Sequence, residues 1–202
     1  AGCEAAYHAA QAGMRIRLYE MRPVRMTPVH RSAHLAELVC SNSLKSDLPA
    51  TAQGLLKKEM RTLGSLILEC AEQARVPAGS ALAVDREYFA QLVSERIENH
   101  PNIEIIRQEV EAPPADEVCI IATGPLTSDA LYRELSRITG EKNLFFYDAV
   151  APSVTLESLD MERIFKASRY GKGDSDYYNC PMSRDEYEHF YQELVQADIA
   201  EG

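Results

Sequence analysis

The first twenty-three residues constrain this chain more than any other stretch. Gly2 opens an Ala-rich run over residues 3–12 that reads as a helix, and Gly13 stops it. Met14-Arg-Ile-Arg-Leu-Tyr-Glu20 then alternates as a strand that ends on an acid. In a βαβ unit that binds a dinucleotide, the last glycine of G-x-G-x-x-G lets the helix pack close to the sheet. An acid about twenty residues on accepts hydrogen bonds from the adenosine ribose. Gly2 and Glu20 stand at that distance. The strand and the two glycines that would precede Gly2 are not in the chain, so an incomplete pyrophosphate site is expected, with the strand over residues 15–19 beside a vacancy. An ordinary βα unit carries the same residues, and on spacing alone both readings stand.

The bulk numbers exclude several classes. The chain has 202 residues, of which 46% are hydrophobic, enough to bury a sizeable core. No apolar run reaches the roughly 20 residues of a membrane span, and the opening helix is too polar for a signal peptide core, so a cytoplasmic protein is expected. A net charge of -10 argues against general coating of nucleic acid. The charge is uneven, however. Arg15, Arg17, Arg22, Arg25 and Arg31 accompany one acid, Glu20, between residues 14 and 34, which suits a ligand carrying phosphates. Five widely spaced cysteines without C-x-x-C read as reduced thiols, and neither they nor the histidines have metal-site spacing, so no metal is expected.

Along the chain, residues 22–30 read as an extended basic loop. The apolar run from Leu35 ends in Cys40-Ser-Asn-Ser43. If those small polar residues cap a helix, the Cys40 thiol lies near its N-terminus, which lowers a thiol pKa; a buried structural cysteine is the competing reading. Apolar spacing predicts one long helix over residues 52–74, with Leu55, Leu56, Met60, Leu63, Leu66, Ile67 and Cys70 on its buried stripe. A short strand over 81–84 follows, then a helix over 86–99 capped by Asp85, and a strand over 103–110. Residues 117–123 are a continuous apolar run, as in a central strand covered on both faces. Thr123-Gly124 sits at its carboxyl end, where open α/β sheets bind ligands. Helices over 129–139 and 184–197 are expected behind Ser128 and Ser183, with a strand over 144–151. The sequence therefore predicts an α/β fold. A dinucleotide-binding, doubly wound parallel domain without its first strand spans 1–145, incomplete at both ends. An acidic, Tyr-rich second domain of α+β type starts over 146–202.

Six motifs occur here in order: Glu20-Met-Arg-Pro23, Ala36-Glu-Leu-Val-Cys-Ser-Asn-Ser-Leu44, Val76-Pro-Ala-Gly-Ser-Ala-Leu-Ala-Val-Asp-Arg86, Ile121-Ala-Thr-Gly-Pro-Leu-Thr-Ser128, Phe146-Tyr-Asp-Ala149 and Asn179-Cys-Pro-Met182. Together they resemble the bacterial folate- and FAD-dependent tRNA uracil-5-methyltransferases, relatives of the wobble-uridine modifying flavoproteins. The resemblance runs over essentially all of the chain and covers only part of those longer enzymes. It implies FAD reduced by NAD(P)H, 5,10-methylenetetrahydrofolate as one-carbon donor, and a T-loop uridine of tRNA as acceptor. It further implies that Gly2, Glu20, Arg22, Val110, Thr123 and Gly124 contact FAD and that Cys40 is catalytic. A second catalytic cysteine of that family lies downstream of the matching region, and Cys180 does not replace it. Two other readings stand beside it: a flavin oxidoreductase acting on a small molecule, which would use the same Gly2, Glu20 and Thr123-Gly124 features, and a non-catalytic tRNA-binding fragment. The Cys40-Ser-Asn-Ser43 segment and the basic stretch before it are expected to separate the first of these from the methyltransferase, since a small-molecule reductase needs no arginine cluster for phosphates.

Overall fold

Small residues set the first packing contact. Helix α1 (Gly2–Gln11) buries Cys3, Ala6 and Ala10 on one face, so its backbone lies close to the strand that follows. Gly13 ends it at φ +87°, a left-handed conformation that a Cβ disfavours. Strand β1 (Ile16–Glu20) pairs in parallel with β5 (Ile103–Arg107), from Ile16 opposite Ile103 to Glu20 opposite Arg107. The carboxyl ends of the two strands therefore share one edge, with Glu20 and Arg107 side by side. In this computed structural model residues 1–140, 154–168, 171 and 174–198 are described. They fall into two units, Ala1–Val76 with Ala81–Ala151, and Pro77–Ser80 with Pro152–Gly202.

The single helix expected over 52–74 is two. Helix α2 (Ala52–Thr62) ends before Gly64, which sits at φ +76°, and Ser65 caps α3 (Leu66–Gln73) by accepting the Leu68 N–H at 3.2 Å. Of the expected stripe only Leu66 and Cys70, both in α3, are fully buried, with Ile67 and Met60 partly buried against the core. Leu55, Leu56 and Leu63 are exposed, because the break at Gly64 swings α2 off the helical phase that would carry them inward. Gly54 is required in α2 for another reason: a Cβ there would lie 1.9 Å from the Leu48 carbonyl oxygen.

A second sheet, antiparallel with order β2-β4-β3, joins β2 (Ser43–Ser46), β3 (Arg75–Val76) and β4 (Ala81–Val84). Asp85 accepts the Tyr88 N–H at 3.0 Å and starts α4 (Arg86–Glu98), whose Phe89, Val93 and Ile97 are almost fully buried, as their spacing predicts. The core joins these side chains to α1, α3, Leu82, Val84 and Ile103. The α/β, Rossmann-like arrangement expected from the sequence is present as this parallel pair with its helices. Among the described residues the doubly wound sheet is represented by β1 and β5 alone.

The apolar run over residues 117–123 forms no strand. Val118 and Ile120 are 103% and 72% exposed, and β1 pairs only with β5 among the described residues. An apolar sequence becomes a central strand only where neighbours supply ladder hydrogen bonds on both edges and cover on both faces; this run has neither. Beyond it, Ser128 caps α5 (Asp129–Thr139) and Gly140 closes the helix at φ +72°. The strand expected over 144–151, with the Phe146-Tyr-Asp-Ala149 motif, lies outside the described residues.

Among its described residues the second unit holds a hairpin, a short 3-10 turn at Leu156–Ser158 and a helix. Strands β6 (Phe165–Ala167) and β7 (Tyr177–Asn179) pair antiparallel, with Lys166 Nζ 5.0 Å over the Tyr178 ring. Residues 77–80 belong to this unit through Gly79 N–H to Asp176 Oδ2 (2.6 Å) and Tyr177 O–H to the Ala78 carbonyl (2.8 Å). Helix α6 (Arg184–Gln196) starts at Ser183 in a reciprocal capping box with Glu186. Among the described residues no helix is long and apolar enough to cross a membrane.

Candidate functional site

The sequence-predicted residues meet at two places in the first unit. One is the N-terminus of α1. A Cβ built on Gly2 would be 3.5 Å from the Ala122 Cβ, so the start of α1 and the Ala122-Thr-Gly124 turn are neighbours although 120 positions apart. The first N–H groups of a helix have no intrahelical acceptor, and they and the helix dipole favour an anion. Beside this lies an open hollow of about 560 Å³ lined by Ile121, Ala122, Thr123, Gly124 and Leu135 among others. Gly124 adopts φ +68°, and Thr127 Oγ1 donates to the Gly124 carbonyl at 3.0 Å, which fixes the turn.

The other place is the carboxyl edge of β1 and β5, and its centre is an arginine. Arg22 is buried and donates Nε to Glu20 Oε1 (2.9 Å) and Nη2 to Glu20 Oε2 (3.0 Å), and its backbone N–H also reaches Oε1 (3.0 Å). Its Nη1 donates to Glu37 Oε2 (2.9 Å) and to the Ser32 carbonyl (3.4 Å). Four of the five guanidinium N–H groups are thus occupied, so the side chain offers no fork to a phosphate. Burial pushes the Glu20 carboxyl up, but the side-chain and backbone hydrogen bonds from Arg22 outweigh it and hold Glu20 below the ordinary carboxylate range. Val110 is half-buried three residues past β5, beyond Gln108, whose N–H donates to the Glu20 carbonyl at 3.1 Å.

Sequence reasoning passed over Glu37. Its carboxylate accepts the Arg31 N–H (2.9 Å), the Ser32 N–H (3.1 Å) and the Ser32 hydroxyl (2.7 Å) in addition to Arg22. Burial raises the Glu37 pKa, and these donors more than reverse it. The segment carrying it is pinned from three sides. Leu35 is buried in the core and its N–H donates to Ser94 Oγ on α4 at 2.8 Å. Arg107 Nη1 donates to the carbonyls of Ala33 (2.7 Å) and Arg22 (3.0 Å). Ala36 takes φ +55°, a strained conformation for a residue with a Cβ, and the anchors on either side hold it there.

Three of the five arginines between residues 14 and 34 are correspondingly engaged within the chain. Arg17 pairs with Glu117, Arg25 with Glu109, and Arg22 with Glu20 and Glu37. The acids come from up to 100 positions away, beyond any local count of charge.

Cys40 stands elsewhere than the sequence suggests. Ser41–43 start no helix: the chain bends at Cys40 and enters β2, so no helix N-terminus acts on the thiol. The polar side chains here bond a turn and a strand instead, Ser41 Oγ accepting the Ser43 N–H (3.0 Å) and Asn42 Nδ2 donating to the Val84 carbonyl (3.1 Å). Cys40 is half-buried and three residues beyond Glu37. Burial pushes the Cys70 thiol up to about 11 and raises that of Cys3, whereas Cys119 and Cys180 are exposed. Among the described residues no group of three or more His, Cys, Asp or Glu is placed to hold a metal ion.

Residues 1–201 match the family described as glucose inhibited division protein A. The chain is similar to a protein of Syntrophomonas wolfei, 67% identical over 202 residues, which are 100% of this chain and 46% of that protein. A relative from Pelotomaculum thermopropionicum is 59% identical over 200 residues (99% and 46%), and one from Aquifex aeolicus 54% over 198 residues (98% and 44%). All three are named methylenetetrahydrofolate–tRNA-(uracil-5-)-methyltransferase TrmFO. The chain spans about half the length of these curated relatives.

Proposed function

The chain belongs to the glucose inhibited division protein A family, and on that premise we propose that the whole protein is a flavin-dependent tRNA methyltransferase of the cytoplasm. It moves a one-carbon unit from 5,10-methylenetetrahydrofolate to C5 of a T-loop uridine, with NAD(P)H as reductant. The observation that carries this reading is the identity of 54–67% to proteins of that name, kept along the whole chain.

The residues fit an adenine dinucleotide. The unpaired N–H groups at the start of α1 suit a pyrophosphate, with the Ala122-Thr123-Gly124 turn alongside. Glu20, kept ionised by Arg22, suits a ribose hydroxyl, and Val110 stands on the same edge near where the adenine would lie. FAD, when bound, supplies the electron transfer that turns a methylene unit into a methyl group. The thiol chemistry belongs to the chain. A thiolate adding to C6 of uracil forms the S–C6 bond and moves the electron pair of the C5–C6 double bond onto C5, which attacks the one-carbon unit as its bond to the donor nitrogen breaks; loss of the C5 proton then expels the thiolate from C6 and restores the double bond. Cys40 is the thiol assigned to this chemistry, as the nucleophile or as its partner.

The test is Cys40→Ala in a protein of the relatives' full length. Loss of most methylation of a T-loop RNA, with FAD retained, is expected. Turnover near the unmodified level would make Cys40 structural. The arginine cluster no longer separates this reading from a small-molecule flavin oxidoreductase, since three of its members are paired internally; the transfer assay does.

A further inference from the structure

Glu37 is the least explained charged group of the site. Its side chain is 15% exposed, and it has no sequence link to the dinucleotide motif. Four donors converge on it: Arg22 Nη1, Arg31 N–H, Ser32 N–H and Ser32 Oγ. It is held as a pure acceptor, which only a carboxylate can satisfy; an amide in its place would turn an NH₂ group toward a donor. On the far side of the guanidinium, Glu20 Oε1 accepts two N–H groups of Arg22 and Oε2 accepts one. With two donors on Oε1 and one on Oε2, the Arg22 grip leaves Oε2 as the less occupied oxygen of Glu20.

Resting on the ribose-acceptor reading of Glu20, we propose that Glu37 is a positioning residue for nucleotide recognition. It fixes Arg22, and Arg22 fixes the Glu20 rotamer so that Oε2, the less occupied oxygen, accepts a ribose hydroxyl. The chain Glu37, Arg22, Glu20 thereby links the ribose end of the site to the segment three residues before Cys40. Without Glu37, the Nη1 arm loses its charged partner and keeps only the longer bond to the Ser32 carbonyl at 3.4 Å, and Glu20 loses the frame that sets its direction.

The experiment compares two ligands in the full-length protein: FAD, and an FAD analogue carrying 2′,3′-dideoxyadenosine, with affinities read from flavin fluorescence. Glu37→Gln is expected to weaken FAD about tenfold and the dideoxy analogue less than about twofold, because the loss acts through a hydrogen bond that the analogue does not make. Glu20→Ala is expected to show the same selectivity, and the double variant to bind FAD no worse than Glu20→Ala alone. Equal weakening for both ligands would overturn the proposal and leave Glu37 as an anchor of residues 31–37. Absence of FAD binding in the unmodified protein would overturn the flavin reading itself and the clamp with it. If Glu37→Gln does not stay folded, Ser32→Ala, which removes one donor and keeps the carboxylate, carries the same comparison with a smaller ratio in the same direction.

Discussion

Arg22 holds Glu20 with both arms of its guanidinium, Nε on one carboxylate oxygen at 2.9 Å and Nη2 on the other at 3.0 Å. The same cation meets Glu37 on its third nitrogen, so one positive charge compensates two half-buried carboxylates. Removing it with Arg22→Met leaves both acids without their shared partner. A loss of about 2–4 kcal/mol is expected, somewhat under the range for fully buried pairs because both acids keep some solvent. Arg22→Lys keeps the charge but not the fork and is expected to lose about half as much. Urea unfolding measures both; a change under about 0.5 kcal/mol for Arg22→Met would show that water replaces the clamp at little cost.

The same pair sets a pH dependence. Glu20 and Glu37 both titrate below the ordinary value of 4.5 when folded. The unfolded chain then binds more protons over that window, so stability rises with pH across it. Their contribution is complete above about pH 5 and is lost as pH falls through the lowered folded values. The urea midpoint should drop steeply below about pH 4.5, and Arg22→Met should drop less steeply because Glu20, which Arg22 holds low, then titrates nearer the ordinary value, while Glu37 keeps its Arg31 and Ser32 donors. Equal slopes would show that other acids dominate the acid limb.

Gly54 within α2 and Gly64 just beyond it separate steric from conformational need. Gly54→Ala puts a Cβ into the Leu48 backbone, and α2 must shift; about 3 kcal/mol is expected. Gly64→Ala meets open space and is opposed only by φ +76°, at about 1 kcal/mol. Thermal melts of the two variants should rank in that order. The reverse ranking would mean that the approach of residues 48–54 is looser than described.

Cysteine modification tests the core. With its thiol pushed up to about 11 and its side chain buried on α3, Cys70 carries on the order of a thousandth of its thiolate at pH 8. Iodoacetamide followed by peptide mass spectrometry should label exposed Cys119 and Cys180 well before Cys70 and Cys3. Early labelling of Cys70 in folded protein would place α3 outside the core.

Local signals carried much of this architecture. Gly2, the Ala-rich helix and an alternating strand ending at Glu20 are a contiguous pattern, and α1 and β1 follow it. Asp85, Ser128 and Ser183 each cap the helix their side chains predict, since a cap bonds residues only two or three positions away. What was not legible depends on distant partners. The Leu63-Gly64-Ser65 break carries its own signal, a glycine followed by a capping serine, but the apolar spacing runs through it. Cys40-Ser-Asn-Ser43 suits a helix cap or a turn equally, and pairing with β4, some forty positions on, decides for the strand. Glu37, Glu109 and Glu117 neutralise the arginine stretch from outside it; a charge count ending at His34 stops three residues short of Glu37. The apolar run over 117–123 has the composition of a central strand without neighbours to make it one.

The Ser94 hydroxyl reaches further than its size suggests. It accepts the Leu35 N–H and donates to the Ala90 carbonyl, each at 2.8 Å, with Leu35 and Ser94 both 2% exposed. The only described hydrogen bond of the Leu35 amide is therefore to a helix 59 positions away, and not to its own loop. In hydrogen exchange, that amide should keep the clock of α4 and open with the cooperative core, while exposed amides of the same segment exchange by local fluctuation. The segment before Cys40 thus belongs, in its slowest motion, to the scaffold and not to the surface it borders.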